Sequence, residues 1–347
     1  MSDPRLEAWD RDAVRSRFGH VLQSLEWSAR RAASGWTAES VRMGDPLPLA
    51  SVHWRRFPLG QTIAYVPRGP VFDHDEPAQL DRALEALASL ARRRGPIFLK
   101  VDPEIDASRE ELVSAYARHG FVRSRQEVQP VLATYEVDLC RSEDEILKAF
   151  DKDTRWSVRT AEKRGVVVEE RRDDDSLREV TGLYEETGRR GDFITRPGAY
   201  YRQVWRALID AGHATLFAAV VDGRIAAAAV LFWCGERALY MYGASGEVAR
   251  RSYAAYALQW QAMRAAKARG ARRYDLGGVP LDPSESHPQY GLYLFKKGFG
   301  GTRRVFAGAY DVAPSRARYR AWLALEPRLY TAIAILRGRR PSMPVVS

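Results

Sequence analysis

Cysteine is almost absent from this chain. Cys140 and Cys234 are the only two, too few for a disulfide framework, and neither has a Cys or His neighbour at metal-ligand spacing. Lysine is scarce too, with seven among 54 basic residues. The longest apolar run, Ile225 to Cys234, falls far short of the ~20 residues that a membrane-spanning helix needs. The opening MSDPRLEAWDRDAVRSRF is charged and has no apolar h-region, so a secretory leader is not expected and the cytoplasm is the expected location. Three reactive motifs are also missing: the Gly-x-x-x-x-Gly-Lys-Ser/Thr phosphate loop, the His-Glu-x-x-His zinc helix and the Gly-x-Ser-x-Gly nucleophile elbow. The six His are scattered. Covalent and metal-dependent mechanisms find no support, and no metal site is expected.

What the chain does hold is an ordinary soluble composition, 46% hydrophobic and 28% charged over 347 residues, longer than one typical domain of ~100–200. Fifty-four basic against 44 acidic side chains give +10 and a pI near 9.7. Such a surface suits polyanions: tRNA, phosphorylated metabolites or the anionic face of a bilayer. A GC-rich genome accounts for the same arginine-rich, alanine-rich bias.

Periodicity predicts the elements. Leu49–Phe57 and Gln61–Val66 read as paired strands, followed by a helix with Leu80, Leu84, Leu87 and Leu90 on one face, a strand at Ile97–Val101 and a helix from Ser108 to Gly120. Helices are expected at Glu143–Phe150, Arg159–Arg164, Leu177–Thr187 and Tyr200–Ala211, with a strand at Val166–Glu170. Ala214–Val221, Ile225–Cys234 and Arg237–Tyr242 form a meander. The helix Tyr253–Ala268 and the strand Arg272–Leu276 follow, and Pro314–Leu336 reads as helix broken at Pro327. Meander, long helix and one more strand is the layout of a GNAT-type acyltransferase. Its repetition predicts an α/β fold of two such domains, with mixed sheets flanked by helices. The expected split is 1–137 plus 311–347 against 138–310, the final helix covering the first domain. Acetyl-CoA is not expected: GEVARRSYAAYAL has no glycine pair before its helix, and VPRGPVFD has Pro where an amide is needed.

Five strings carry chemistry. In VLQSLEW, Gln23 and Trp27 are placed on one helix face, with Arg31 a turn further as a guanidinium for phosphate. In FLKVDPEID, Asp102 stands where an apolar strand stops; a turn-forming Asp before Pro explains it equally well. In ITRPGAYY, Arg196 precedes a helix start, a place for an anion, with Tyr200 one turn on. In YDLGGVPLDP, Gly277 and Gly278 let a ligand approach backbone. In GLYLFKKGFGG, Lys296, flanked by Phe295 and Phe299, offers an ammonium to an oxyanion or a phosphate; a solvated loop Lys is the plainer reading.

Taken in order, LQSLEW, AYVPRGPV, KVDPEI, ITRPGAYY, LYMYGAS, YDLGG and LYLFKKGF resemble the Fem family (FemX, FemA, FemB) of aminoacyl-tRNA-dependent peptidyltransferases of the peptidoglycan cross-bridge. The chain is similar to the compact FemX-like type, without a coiled-coil hairpin. The resemblance implies transfer of Gly, Ala or Ser from aminoacyl-tRNA, as co-substrate and with no further cofactor. The acceptor is the side-chain amine of the third stem-peptide residue, in lipid II or UDP-MurNAc-pentapeptide, and the lipid-linked form implies peripheral contact with the membrane. It also implies phosphate contacts at Arg31, where the family has Lys, and at Arg196 with Tyr200. Asp102 falls at the acceptor, Phe295 and Lys296 at the acyl-tRNA end, Tyr242 along the acceptor channel, and Arg68, Gly277 and Gly278 among the substrate-binding positions. Ile97 replaces a family Tyr, removing one hydroxyl. A peptide-bond former with a non-cell-wall acceptor and a non-catalytic tRNA-binding protein are the rival readings.

Overall fold

The computed structural model describes residues 4–129, 131–190 and 196–336, which fall into two compact units. Unit 1 takes in the chain up to Ala13, Leu22–Leu132 and the chain from Phe306 onward; unit 2 is Val14–Val21 with Ala133–Val305.

Unit 1 opens with α1 (Pro4–Ala13) and α2 (Leu25–Ala32), the latter entered through Ser24, whose hydroxyl accepts the Trp27 amide at 3.0 Å. An antiparallel meander follows: β1 (Trp36–Arg42), β2 (Leu49–Arg56) and β3 (Thr62–Val66). The helix α3 (Pro77–Arg94) then crosses over, so that β4 (Leu99–Val101) pairs parallel to β3. After α4 (Glu110–Arg118) and β5 (Val122–Arg123) the chain enters unit 2.

There, β6 (Ala133–Asp138), α5 (Glu143–Ala149), α6 (Lys152–Lys163), β7 (Val167–Arg171), α7 (Asp174–Arg190) and α8 (Gly198–Asp210) lead into a second meander. It consists of β8 (Ala214–Val221), β9 (Arg224–Cys234) and β10 (Arg237–Ser245). Next, α9 (Glu247–Ser252) and α10 (Ala254–Ala268) cross to β11 (Arg273–Val279), parallel to β10, before α11 (Tyr290–Lys297) and β12 (Thr302–Val305). Unit 1 is completed by β13 (Tyr310–Val312) and α12 (Arg316–Leu336).

The sheets run β1-β2-β3-β4-β13-β5 and β12-β6-β11-β10-β9-β8-β7, both mixed and flanked by helices, as the sequence led us to expect. In unit 1, Leu80, Leu84 and Leu87 of α3 pack on Ala50, Val52, Leu99 and Val101. The opposite face, with Ile63, Tyr65 and Phe98, is covered by Tyr319 and Trp322 of α12. No helix of the described residues is long and apolar enough to cross a membrane.

Several sequence expectations need correction. A boundary after 137 would cut β6, which pairs with β11 and β12 in the second sheet, and one after 310 would cut β13, which pairs with β4 and β5 in the first. Gln23 shares no helix with Trp27 and Arg31: it ends a short 3-10 turn, and Ser24 starts α2. The helix expected at Tyr253–Ala268 is α10, but a short helix that was not anticipated, α9, precedes it, and Tyr253 adopts φ +60° between the two. α12 continues through Pro327; a proline removes one amide donor without forbidding the helix on either side.

In the unit 2 core, Phe150 joins α10 to the turn that follows α11: it is buried with ring centroids 5.5 Å from Trp260 and 5.1 Å from Phe299. Phe150→Ala should therefore lower unfolding free energy by about 3–5 kcal/mol in a urea titration. A loss below about 1 kcal/mol would show that this packing is unimportant.

Candidate functional site

In unit 1, β3 and β4 stay paired over Ala64–Val66 and Leu99–Val101 and then part. β4 is followed at once by Asp102, which is 1% exposed. One oxygen accepts the Tyr65 hydroxyl at 2.8 Å; the other accepts the Arg68 amide at 2.6 Å. Arg68 aims that amide by taking φ +51°, a conformation uncommon for a residue with a Cβ. Gln23 fixes the same loop, donating to the Pro67 carbonyl at 2.5 Å while its side-chain oxygen accepts the Ser51 amide at 2.7 Å. A Cβ on Gly69 would approach the Gln23 side chain to 2.8 Å, so any larger residue would have to displace this clasp. Burial pushes the Asp102 carboxyl up to about 6, although Arg68, the Tyr65 hydroxyl and Lys100 all pull it down. The carboxylate form therefore prevails at neutral pH and is lost in mild acid.

Arg31 is buried on α2 with its guanidinium 4.7 Å from the Trp36 ring centroid. Burial, and then Arg31 itself, holds the nearby His53 ring down at about 3, so that imidazole is neutral. Ile97 packs in the same core beside Trp36 and Tyr65. Below Tyr65 lies a cavity of about 40 Å³ bordered by Phe98, Tyr319 and the buried Lys100–Asp311 pair, 2.8 Å apart.

Unit 2 repeats the parting of parallel strands. β10 and β11 pair only over Arg237–Leu239 and Arg273–Asp275. Then β10 bulges between Tyr240 and Tyr242, and β11 slips against β6 between Asp275 and Gly278. Gly277 sits at φ +74°, and a Cβ there would meet the Tyr240 carbonyl oxygen at 2.6 Å. Lys296 reaches into this opening from α11, donating to the Gly278 carbonyl at 2.7 Å, with its ammonium 5.7 Å from the Tyr240 ring centroid. The neighbouring Asp275 is engaged by the Gly277 amide at 2.8 Å, by Arg237 at 3.0 Å and by the Thr134 hydroxyl. Lys296 is 6% exposed, and burial lowers it to about 8 against the opposing pull of Asp275. Its neighbour Phe295 packs instead against Tyr256 and Phe299, with centroids at 5.0 and 5.2 Å.

Beside this opening, Tyr242 stands in a cluster with Tyr184, Tyr201 and Trp205 at 5.7, 5.7 and 5.4 Å. Burial pushes its phenol well above the ordinary range. Arg196 places its guanidinium 4.6 Å over the Tyr200 ring, and its amide donates to the Tyr201 hydroxyl at 3.0 Å. The start of α8 is not open to an anion in the manner anticipated, because the Gly198 amide already donates to the Glu185 carboxylate at 2.5 Å.

Three anticipated positions, Arg31, Arg68 and Asp102, thus belong to unit 1, and the other seven to unit 2. Within unit 2, Arg196, Tyr200 and Tyr242 come together, as do Lys296, Gly277 and Gly278. Tyr184, near both Tyr240 and Tyr242, stands between the two groups. Sequence reasoning missed the roles of Tyr65, Gln23 as loop clasp, Tyr240 and Asp275. No local pattern distinguishes them; each matters through a partner far along the chain.

A model of the FemAB family matches residues 7–223 and 214–326. Lipid II:glycine glycyltransferase of Staphylococcus aureus (strain USA300) is 25% identical over 392 residues, covering 90% of this chain and 93% of that protein. The crystal structure of FemX superposes with a TM-score of 0.82 at 22% identity, over 94% of this chain and 99% of that one. L-PGS from Bacillus licheniformis shares the fold at a TM-score of 0.58 and 13% identity, over 94% and 96% of the two chains.

The buried ammonium has a thermodynamic signature. Lys296 has a folded pKa of about 8 against 10.5 for the free side chain, so between these values the unfolded chain binds the extra proton and stability rises with pH. Relative to Lys296→Met, the wild type should gain on the order of 3 kcal/mol from pH 7 to 10.5 in urea unfolding. A difference that is flat with pH would mean that the ammonium is solvated.

Proposed function

This chain belongs to the FemAB family, and on that premise we propose that it transfers Gly, Ala or Ser from aminoacyl-tRNA to the side-chain amine of residue 3 of a peptidoglycan precursor. It is an acyltransferase of interpeptide-bridge synthesis. The observation that carries the finer reading is a pair of buried ionisable groups, Asp102 and Lys296, each set where a parallel strand pair opens.

An aminoacyl ester is already activated, so neither a covalent enzyme intermediate nor a further cofactor is needed. The acceptor amine attacks the ester carbonyl; a C–N bond forms, the C–O bond to the terminal ribose breaks, and the amine's proton ends on the released ribose oxygen. Such a reaction needs positioning and oxyanion stabilisation above all. A lysine-type amine, with an unperturbed pKa of ~10.4, arrives as ammonium. Asp102, ionised and desolvated, holds it in unit 1 and takes up its extra proton, which passes on to water, so that the neutral amine attacks. In unit 2, Lys296 presents a cation to the tetrahedral oxyanion, and Gly277 and Gly278 shape the substrate position beside it, the Gly277 amide held by Asp275 and the Gly278 carbonyl by Lys296. Arg196 over Tyr200, and the buried Arg31, supply phosphate contacts of about 1.5–3 kcal/mol each. Arg68 contributes through the amide that orients Asp102. Phe295 serves the donor end by seating α11, and Tyr242 lines the acceptor path. The acceptor is lipid II or its nucleotide precursor, and lipid II would bring the protein to the membrane surface.

The test is a matrix of glycyl-, alanyl- and seryl-tRNA against lysine- or ornithine-containing lipid II and UDP-MurNAc-pentapeptide, read by mass spectrometry. One pair should yield a new amide; a blank matrix would overturn the reading, and uniform tRNA binding without transfer would favour a non-catalytic tRNA-binding protein. The rate should fall below about pH 6 as Asp102 protonates, and above about pH 8 as Lys296 loses its proton. Asp102→Asn should abolish the acid limb, and Lys296→Ala should remove the alkaline limb and lower kcat more than it raises KM. Unchanged limbs in these variants would remove both groups from the reaction.

A further inference from the structure

Outside the groups already assigned, the exposed face of α6 in unit 2 is chemically unusual. Its sequence, KDTRWSVRTAEK, holds four basic residues against two acidic ones. Thr154, Ser157, Val158 and Ala161 turn inward, which leaves Lys152, Trp156, Arg159 and Lys163 exposed along one stripe at helical spacing. Trp156 is 54% exposed, a large aromatic surface left in water among cations.

The stripe does not end at the surface. Trp156 meets Tyr253 edge-on at 5.1 Å, Tyr253 lies 6.3 Å from Tyr256, and Tyr256 lies 5.0 Å from Phe295, the neighbour of Lys296. The Arg164 guanidinium sits 5.2 Å over the Tyr253 ring. Tyr253 holds φ +60°, a left-handed conformation that is strained for an aromatic residue and that presents its ring at the α9–α10 junction.

Cations that track a phosphate backbone, interleaved with aromatic rings on which bases stack, form the footprint of single-stranded nucleic acid. The geometry points to α6 and Tyr253 as the ledge that takes the unpaired 3′ end of the donor RNA, bases stacking on Trp156 and Tyr253 and phosphates held by Lys152, Arg159, Lys163 and Arg164. The ester then arrives at the Phe295–Lys296 end of the aromatic series. The inference rests on the aminoacyl-tRNA reading above, because it assigns that donor a docking surface. RNA is favoured over a lipid surface because the aromatic series runs inward to the proposed reacting lysine, where a bilayer has no reason to lead.

The probe is an acceptor-stem RNA hairpin ending in an unpaired ACCA, with binding followed by fluorescence anisotropy over a salt series. Trp156→Ala should weaken binding about 5- to 100-fold, and Trp156→Phe should restore most of it. Arg159→Ala should weaken binding and reduce the slope of log K against log salt by nearly one. Trp156 and Arg159 are exposed, so folding should be intact by circular dichroism. Unchanged affinity in Trp156→Ala would overturn the ledge and leave the transfer reaction standing, provided that this variant still makes the amide at the wild-type rate. Loss of binding to anionic phosphatidylglycerol vesicles with unchanged RNA affinity would overturn it in favour of a membrane contact. A wild-type protein that neither binds the hairpin nor makes the amide would sink the donor reading as well.

Discussion

Two parallel strands cannot remain paired once one of them turns aside, and the backbone groups released there must find other partners. In both units the chain resolves this with buried polar contacts at the carboxyl end of a parallel pair. Below β3 and β4, the Arg68 amide goes to Asp102. Below β10 and β11, the Gly278 carbonyl goes to Lys296 and the Gly277 amide to Asp275. The ends of parallel strands are where open α/β sheets receive ligands, and here each end also carries an ionisable group out of water.

Keeping those groups buried has a cost in stability. Moving a lone ammonium or carboxylate out of water disfavours the charged form, and so Lys296 falls while Asp102 rises. Nearby charges limit the penalty without removing it: Asp275 faces Lys296 but is itself engaged by Arg237, and Arg68 faces Asp102 but lies 3.6 Å from Glu104. Each group is left with a pKa shifted toward neutrality, which suits a reaction that must hold an ammonium and meet a developing oxyanion.

Much of the fold was legible in the sequence. Periodic leucines mark α3, and alternating or continuous apolar runs mark β8, β9 and β10. A strand pair, helix and strand in unit 1, and a meander, helix and strand in unit 2, could be read from periodicity and turn residues. β1 escaped because Trp36–Arg42 is largely polar and exposed, an edge strand with little apolar signal. β6 and β13 escaped because their membership depends on partners more than a hundred residues away. Asp102 and Lys296 were visible as residues, yet their burial was not, since Tyr65, Tyr240 and the loop clasp by Gln23 are set by tertiary packing. The helix start at α8 shows the opposite error: a local anion site on paper is filled by Glu185 from a different helix.

Acceptor binding depends on Asp102 being a desolvated carboxylate at the strand opening. Carbon-13 NMR of protein labelled at aspartate carboxyls, with the resonance assigned by its loss in Asp102→Asn, would follow its titration directly. A midpoint near 6 is expected for the buried carboxylate. A midpoint near 4, the ordinary value for a solvated aspartate, would contradict it.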